Sequence, residues 1–137
     1  MVGVVVVTHG RLAEELISVV KFVMAGEPAI KMEGVSIDPN KEFEKFSQEI
    51  KKAIKKADEG DGVLVVTDMF GGTPSNVSLT FLEGKKLEVI SGVNLPMLLK
   101  LATLSAKVTL DEAVEIAESA GRDNIIVASK LLQTRNQ

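Results

Sequence analysis

Hydrophobic and polar positions along the chain form two kinds of pattern. Residues 2–7 and 62–67 are nearly uninterrupted apolar runs dominated by valine, which is typical of strands buried on both faces of a sheet. Shorter stretches at 31–37 and 87–91 predict two more strands, and residues 124–129 predict a fifth at the end of the chain. The strands lie far enough apart along the chain to leave room for helices between them.

Between these stretches, apolar residues recur every three or four positions, which is the spacing of an amphipathic helix. Gly26 and Gly121 stand where helices are expected to end, and Thr109 with Glu112 has the spacing of a capping box. The polar tail from Leu132 is expected to be frayed. Helices are therefore predicted over about 12–24, 43–57, 74–83, 95–104 and 110–120.

The alternation of strands and helices favours an α/β fold. It predicts an open, mostly parallel sheet with helices on both of its faces. The chain has 137 residues, the length of one ordinary domain, and it contains no linker or internal repeat. We therefore expect a single domain, 1–137.

Composition and charge exclude several classes of function. Sixteen basic against nineteen acidic residues give a net charge of −3, so nucleic-acid binding is not expected. The chain has no cysteine and one histidine, which excludes thiol catalysis and metal sites built from several histidines. We expect neither a cofactor nor a metal. No signal peptide or membrane span is recognisable, so a cytoplasmic location is expected.

Open α/β sheets bind ligands beyond the carboxyl ends of their strands, which directs attention to the residues there. His9 and Gly10 follow the first strand, Asp68 follows the third, and Ser91 ends the fourth. If the first and third strands are neighbours in the sheet, His9 and Asp68 lie side by side.

Two interpretations of His9 are open. It is either a structural histidine at a helix start or a nucleophile that accepts a phosphoryl group, since the helix that follows favours an anion at its first turn. Asp68 is either a turn residue or the carboxylate that fixes the imidazole tautomer. Arg11 adds charge nearby, and its role stays open.

The candidate phosphate-binding residues flank this pair. Gly10 leaves room for close approach, and the glycines before the Thr-Pro helix start can turn their backbone N–H groups toward phosphate oxygens. No dinucleotide fingerprint, P-loop or hydrolase elbow is present, and nothing marks a serine as a nucleophile. The phosphate-binding candidates are Gly10, Gly71, Gly72, Thr73 and Ser75.

Three segments together resemble a known family. Thr-His-Gly at 8–10, Asp-Met-Phe-Gly-Gly-Thr-Pro-Ser-Asn at 68–76 and Gly-Val-Asn-Leu-Pro-Met-Leu at 92–98 are similar to the mannose-type IIA component of the bacterial phosphoenolpyruvate:sugar phosphotransferase system (PTS). The resemblance covers nearly the whole chain in order and spacing.

The resemblance implies a phosphohistidine at His9, charged by the phosphocarrier protein HPr and discharged to a IIB component, with Asp68 bonded to the histidine. The sugar is then phosphorylated at the membrane permease, IIC and IID. It also implies a homodimer in which the last strand crosses, antiparallel, to the partner's sheet. A IIB partner is expected on a separate chain.

Two related alternatives stay open. One is a regulatory module in which phosphorylation of His9 is a signal. The other is a domain like the phosphotransfer subunit of dihydroxyacetone kinase, although the segment at 92–98 favours the mannose type. The sequence does not name the sugar, because a IIA component contacts proteins.

Overall fold

The computed structural model describes residues 1–69 and 86–135. The strands in these residues are β1 (Gly3–His9), β2 (Met32–Ile37), β3 (Val63–Thr67) and β4 (Leu87–Ser91). The helices in these residues are α1 (Leu12–Met24), α2 (Phe43–Ala57), α3 (Leu95–Ala102), α4 (Leu110–Asp123) and α5 (Ala128–Arg135). The predicted helix over 74–83 lies outside the described residues.

The four strands form one parallel sheet in the order β2-β1-β3-β4. The chain passes from β1 to β2 on one side and returns to β3 on the other, so the strand order reverses between β1 and β3. Val7 pairs with Thr67 there, which brings the ends of these two strands to the same edge. The expectation that the first and third strands are neighbours in the sheet is confirmed.

Both faces of the sheet are covered, as predicted. Alternate residues of β1 enter different cores: Val4 and Val6 pack with α1, α3 and α4, and Val5 and Val7 pack with α2. All four valines are fully buried, which explains why β1 is apolar at successive positions rather than alternating.

Gly3 is needed where β1 meets the end of α2. A Cβ atom at Gly3 would collide with the carbonyl oxygen of Ala57 and lie 2.7 Å from its carbonyl carbon. Both are backbone atoms of α2, so no side-chain rotation relieves the contact. The close approach of strand and helix therefore requires glycine.

We expect Gly3→Ala to lower the free energy of unfolding by at least about 2 kcal/mol, because the strand and helix must separate. Gly26→Ala is the matched control, since a Cβ there would have no atom of a described residue within 4 Å apart from its chain neighbours. Urea denaturation of both variants measures the difference. Equal midpoints for the two variants would show that β1 and α2 are not in close contact.

The predicted fifth strand is wrong for the single chain. Residues 125–127 have no regular structure, and α5 follows from Ala128. The expectation of a frayed tail is therefore wrong for 132–135, which are helical, and its last two residues, 136–137, lie outside the described residues. Ile125 and Val127 are exposed. A β-branched run becomes a strand only when a neighbouring strand accepts its hydrogen bonds, whereas the residues after it include good helix formers.

The predicted helix ends also need correction. The left-handed residue that ends α1 is Ala25, with φ of 57°. Gly26, which follows Ala25, donates its N–H to the carbonyl of Lys21. Gly121 lies inside α4, where a Cβ would come within 2.9 Å of the Met97 side chain. Glycine serves close packing of α3 on α4 there, not helix termination.

Candidate active site

His9 and Asp68 meet at the point where the strand order reverses. His9 is the last residue of β1, and Asp68 comes directly after β3. The Nδ1 atom of His9 lies 2.9 Å from Oδ2 of Asp68, and the same oxygen accepts the backbone N–H of His9 at 3.0 Å. One carboxylate oxygen therefore holds both the ring and the backbone of the histidine.

This contact sets the chemistry of the imidazole. An ionised carboxylate only accepts hydrogen bonds, so Nδ1 carries the proton and the ring lone pair lies on Nε2. The His9 side chain is 49% exposed, whereas that of Asp68 is 15% exposed. The ring is thus anchored on its inner side and accessible to another molecule.

The pKa of the Asp68 carboxyl reflects the same contacts. Partial burial raises this pKa, but the hydrogen bonds from the His9 ring and backbone and the attraction to His9 outweigh burial, with a further contribution from the N–H of Met69. The net result is a pKa below the ordinary value, so Asp68 is ionised at neutral pH.

The loop from β1 to α1 is fixed at both ends. Gly10 has φ of 54° and donates its N–H to the carbonyl of Ile37 at 2.8 Å, and the buried N–H of Ala13 is donated to the Thr8 hydroxyl at 2.7 Å. The Gly10 N–H is therefore already bonded to β2. Apart from its chain neighbours, no described residue has an atom within 4 Å of the position that a Cβ of residue 10 would take.

Arg11 turns toward its own helix. Its guanidinium lies 3.6 Å from Glu14 and 3.8 Å from Glu15, with 79% of its side chain exposed. Exposed pairs of this kind contribute little to stability. The structure therefore gives Arg11 no contact with His9 or Asp68.

The sequence patterns did not single out two buried hydroxyls beside the pair. Thr8 and Thr67, which directly precede His9 and Asp68, are fully buried. Thr67 Oγ1 lies 2.8 Å from Ser91 Oγ, which joins the ends of β3 and β4. The only feature of the sequence that could have indicated these hydroxyls is the threonine at the end of each of the two apolar runs.

The remaining phosphate-binding candidates, Gly71, Gly72, Thr73 and Ser75, lie outside the described residues. Among the residues that are described, no group of three or more histidine or carboxylate side chains is arranged to hold a metal ion. No helix in the same part of the chain is long and apolar enough to cross a membrane. The chemistry that the described residues supply is an oriented, half-exposed imidazole.

Residues 3–118 match the family described as PTS system fructose IIA component. The chain is 30% identical over 128 residues to the mannose-specific EIIAB component of Escherichia coli K12, covering 90% of this chain and 38% of the relative. It is 33% identical over 98 residues to the fructose-specific EIIA component of Bacillus subtilis, covering 69% and 64% of the two chains. The chain thus spans well under half the length of the first relative.

Solved structures show the same fold. A mannose/sorbose-specific IIA subunit from Enterococcus faecalis aligns with a TM-score of 0.79 and 26% identity, over 91% of this chain and 92% of that one. An EIIA component from Streptococcus agalactiae aligns with a TM-score of 0.83 and 24% identity, over 95% and 99%. The likeness extends over almost the whole of each chain.

Proposed function

Because this chain belongs to the family of PTS fructose IIA components, we propose that it is a phosphoryl carrier of a sugar phosphotransferase system in which His9 holds the phosphoryl group. The observation that carries the proposal is the 2.9 Å contact between His9 Nδ1 and Asp68. It leaves the lone pair on Nε2 of a half-exposed ring, which is what a transient phosphoryl acceptor requires.

The transfer step follows from this geometry. Nε2 attacks the phosphorus of the donor, the Nε2–P bond forms, and the bond from phosphorus to the donor atom breaks with its electron pair returning to the donor. Nδ1 keeps its proton throughout, and the positive charge that develops on the ring is stabilised by Asp68. Since phosphoryl transfer depends mainly on positioning and charge stabilisation, an oriented ring supplies much of what is needed.

The start of α1 and the 71–75 segment complete the proposed site. The first turn of α1 follows His9 within three residues, and helix N-termini favour anions. Gly71, Gly72, Thr73 and Ser75 are proposed to contact phosphate oxygens on the strength of the sequence pattern. The whole of 1–137 is proposed to act as one IIA domain.

The proposed partners are the other components of such a system. Phospho-HPr charges His9, and a IIB component receives the phosphoryl group for delivery to a sugar at the IIC and IID permease. These exchanges take place in the cytoplasm. No cofactor or metal is needed, because the phosphoryl group passes directly between side chains.

The test is transfer of labelled phosphate in two stages. The chain is incubated with radiolabelled phosphoenolpyruvate, enzyme I and HPr, repurified, and mixed with a mannose-type IIB component. Label should enter the chain only when HPr is present and should then pass to IIB. Absence of label after incubation with phospho-HPr would contradict the carrier role.

A homodimer is the second part of the proposal. Ile125, Ile126 and Val127 are 75%, 56% and 51% exposed, which is unusual for three consecutive large apolar residues. β4 is an edge of the described sheet, and sheet edges accept further strands. Residues 125–127 are therefore proposed to pair, antiparallel, with β4 of a second copy, which would supply a strand partner that the described residues of one chain do not provide.

We expect light scattering at micromolar concentration to give twice the mass of the chain. Ile126→Lys should lower the mass toward that of one chain, because a charge would be buried in the contact. Phe43→Lys is the control, since Phe43 is also exposed (57%) but lies at the start of α2. A single-chain mass for the unmodified protein would contradict the dimer.

A further inference from the structure

Thr8 is one of two polar residues that are fully buried among those the structure describes. It stands next to His9 in β1, and alternation along the strand directs its side chain to the face covered by α1, where Val4 and Val6 also pack. Its hydroxyl oxygen accepts the N–H of Ala13 at 2.7 Å. Thr8 therefore links the strand residue directly before His9 to the first turn of α1.

This bond replaces an ordinary helix cap. Arg11, at the N-cap position of α1, makes no side-chain hydrogen bond to the helix, although a cap residue ordinarily accepts the N–H two or three positions later. Thr8 accepts that N–H from the strand instead. The hydrogen bond therefore spans residues 9–12 and closes the loop that begins with His9.

Three hydrogen bonds between described residues hold this loop. The N–H of His9 is donated to Asp68 at 3.0 Å, that of Gly10 to Ile37 at 2.8 Å, and that of Ala13 to Thr8 at 2.7 Å. The second joins backbone to backbone, and the first uses the carboxylate that already orients the ring. The Thr8 bond is the one that a conservative substitution can remove without touching the His9–Asp68 pair.

We infer that Thr8 is a positioning residue, whose hydroxyl holds the His9 loop so that the imidazole stays bonded to Asp68 and presents Nε2. The inference rests on the proposed function, in which that orientation sets the rate of phosphoryl transfer. Thr8 does not contact the phosphoryl group and acts through the loop alone.

The experiment compares Thr8→Val, which keeps the shape and removes the hydroxyl, with Thr8→Ser, which keeps the hydroxyl. Thr109→Val is the matched control, because the Thr109 hydroxyl likewise caps a helix, accepting the N–H of Glu112 at 3.2 Å, but at the start of α4. Two quantities are measured on each folded variant: the rate of labelling from phospho-HPr, and the ¹⁵N spectrum of the His9 imidazole.

Thr8→Val should transfer about 5- to 100-fold more slowly, as expected for a small misplacement of a reacting group. Its ¹⁵N spectrum should show the Nδ1-protonated form giving way to a mixture of tautomers. Thr8→Ser should restore both quantities to within about twofold of the unmodified chain, on the same principle. Thr109→Val should unfold more easily yet keep the original rate and spectrum.

A Thr8→Val protein with the original rate and spectrum would overturn the inference. If that variant does not fold, Thr8→Ala lacks the same hydroxyl and is judged by the same criterion against Thr8→Ser. The ¹⁵N measurement needs no phosphoryl donor. If the unmodified chain takes no label, the proposed function fails, while the spectrum still decides whether Thr8 positions the ring.

Discussion

His9→Ala should abolish phosphoryl acceptance and leave the fold intact. His9 is the only histidine in the chain, and about half of its side chain is exposed, so its removal deletes the proposed nucleophile with little loss of packing. Under conditions that label the unmodified chain completely, no label should enter the variant from phospho-HPr. Far-ultraviolet circular dichroism and the urea midpoint should show that the sheet and helices remain.

His9→Gln is a second variant with a side chain closer in size to histidine. It should also take no label, because a carboxamide nitrogen has no available lone pair for attack. Label in either variant would place the phosphoryl group on another residue and remove the basis of the proposed mechanism.

Asp68→Asn should lower the rate at which phospho-HPr labels the chain by at least tenfold. Groups that orient or assist a reacting side chain change rates by up to about 10⁴-fold. The Oδ2 atom of Asp68 accepts both the ring N–H and the backbone N–H of His9. An asparagine can present its NH₂ group to Nδ1 and favour the wrong tautomer, and it lacks the negative charge that stabilises the ring as charge develops on it. The rate of labelling under single-turnover conditions measures this loss.

Asp38→Asn is the matched control for this substitution. Asp38 directly follows β2 and accepts the N–H of Asn40 at 2.9 Å, so it is also a turn-forming carboxylate at the carboxyl end of a strand. The structure gives it no contact with His9. Its amide variant should transfer at the original rate. An unchanged rate for Asp68→Asn as well would mean that Asp68 only builds its turn.

Stability should respond to pH in a way that identifies Asp68. The pKa of its carboxyl lies below the ordinary value in the folded chain, so its ionised form stabilises the folded state. This contribution is complete above the ordinary pKa of about 4 and is lost as the pH falls through the lowered value. The difference in unfolding free energy between the unmodified chain and Asp68→Asn should therefore shrink over that range.

The central part of the fold was predictable because burial on both faces leaves a plain trace in the sequence. Residues 2–7 and 62–67 have valine where a half-exposed strand would have alternating polar residues. Once these were recognised as parallel strands, the adjacency of His9 and Asp68 followed from the rule that strand ends meet at one edge of the sheet. The observed 2.9 Å contact agrees with that expectation.

The end of the chain was not predictable in the same way. Ile125–Val127 is a β-branched run, but a strand requires a neighbour that is decided by tertiary or quaternary structure. The left-handed Ala25 was missed because glycine is preferred in that conformation and Gly26 is the next residue. Local propensity cannot identify which of two adjacent residues takes an unfavourable backbone angle.

Hydrogen bonds that join different secondary-structure elements also could not be predicted from the sequence. The donation from Gly10 to Ile37 depends on how far β2 extends beside β1, and the bond from Ala13 to Thr8 depends on the angle at which α1 leaves the sheet. A threonine in a buried strand is compatible with several partners. Its role became apparent only from the arrangement of the loop.

The most direct test of the central claim is the chemical identity of the phosphorylated residue. The chain is incubated with phosphoenolpyruvate, enzyme I and HPr, and its intact mass, its fragmentation spectrum and the stability of the adduct are measured. The account predicts one phosphoryl group on His9, attached at Nε2, labile in acid and stable in alkali. An unmodified mass, or a phosphoryl group on any residue other than His9, would contradict it.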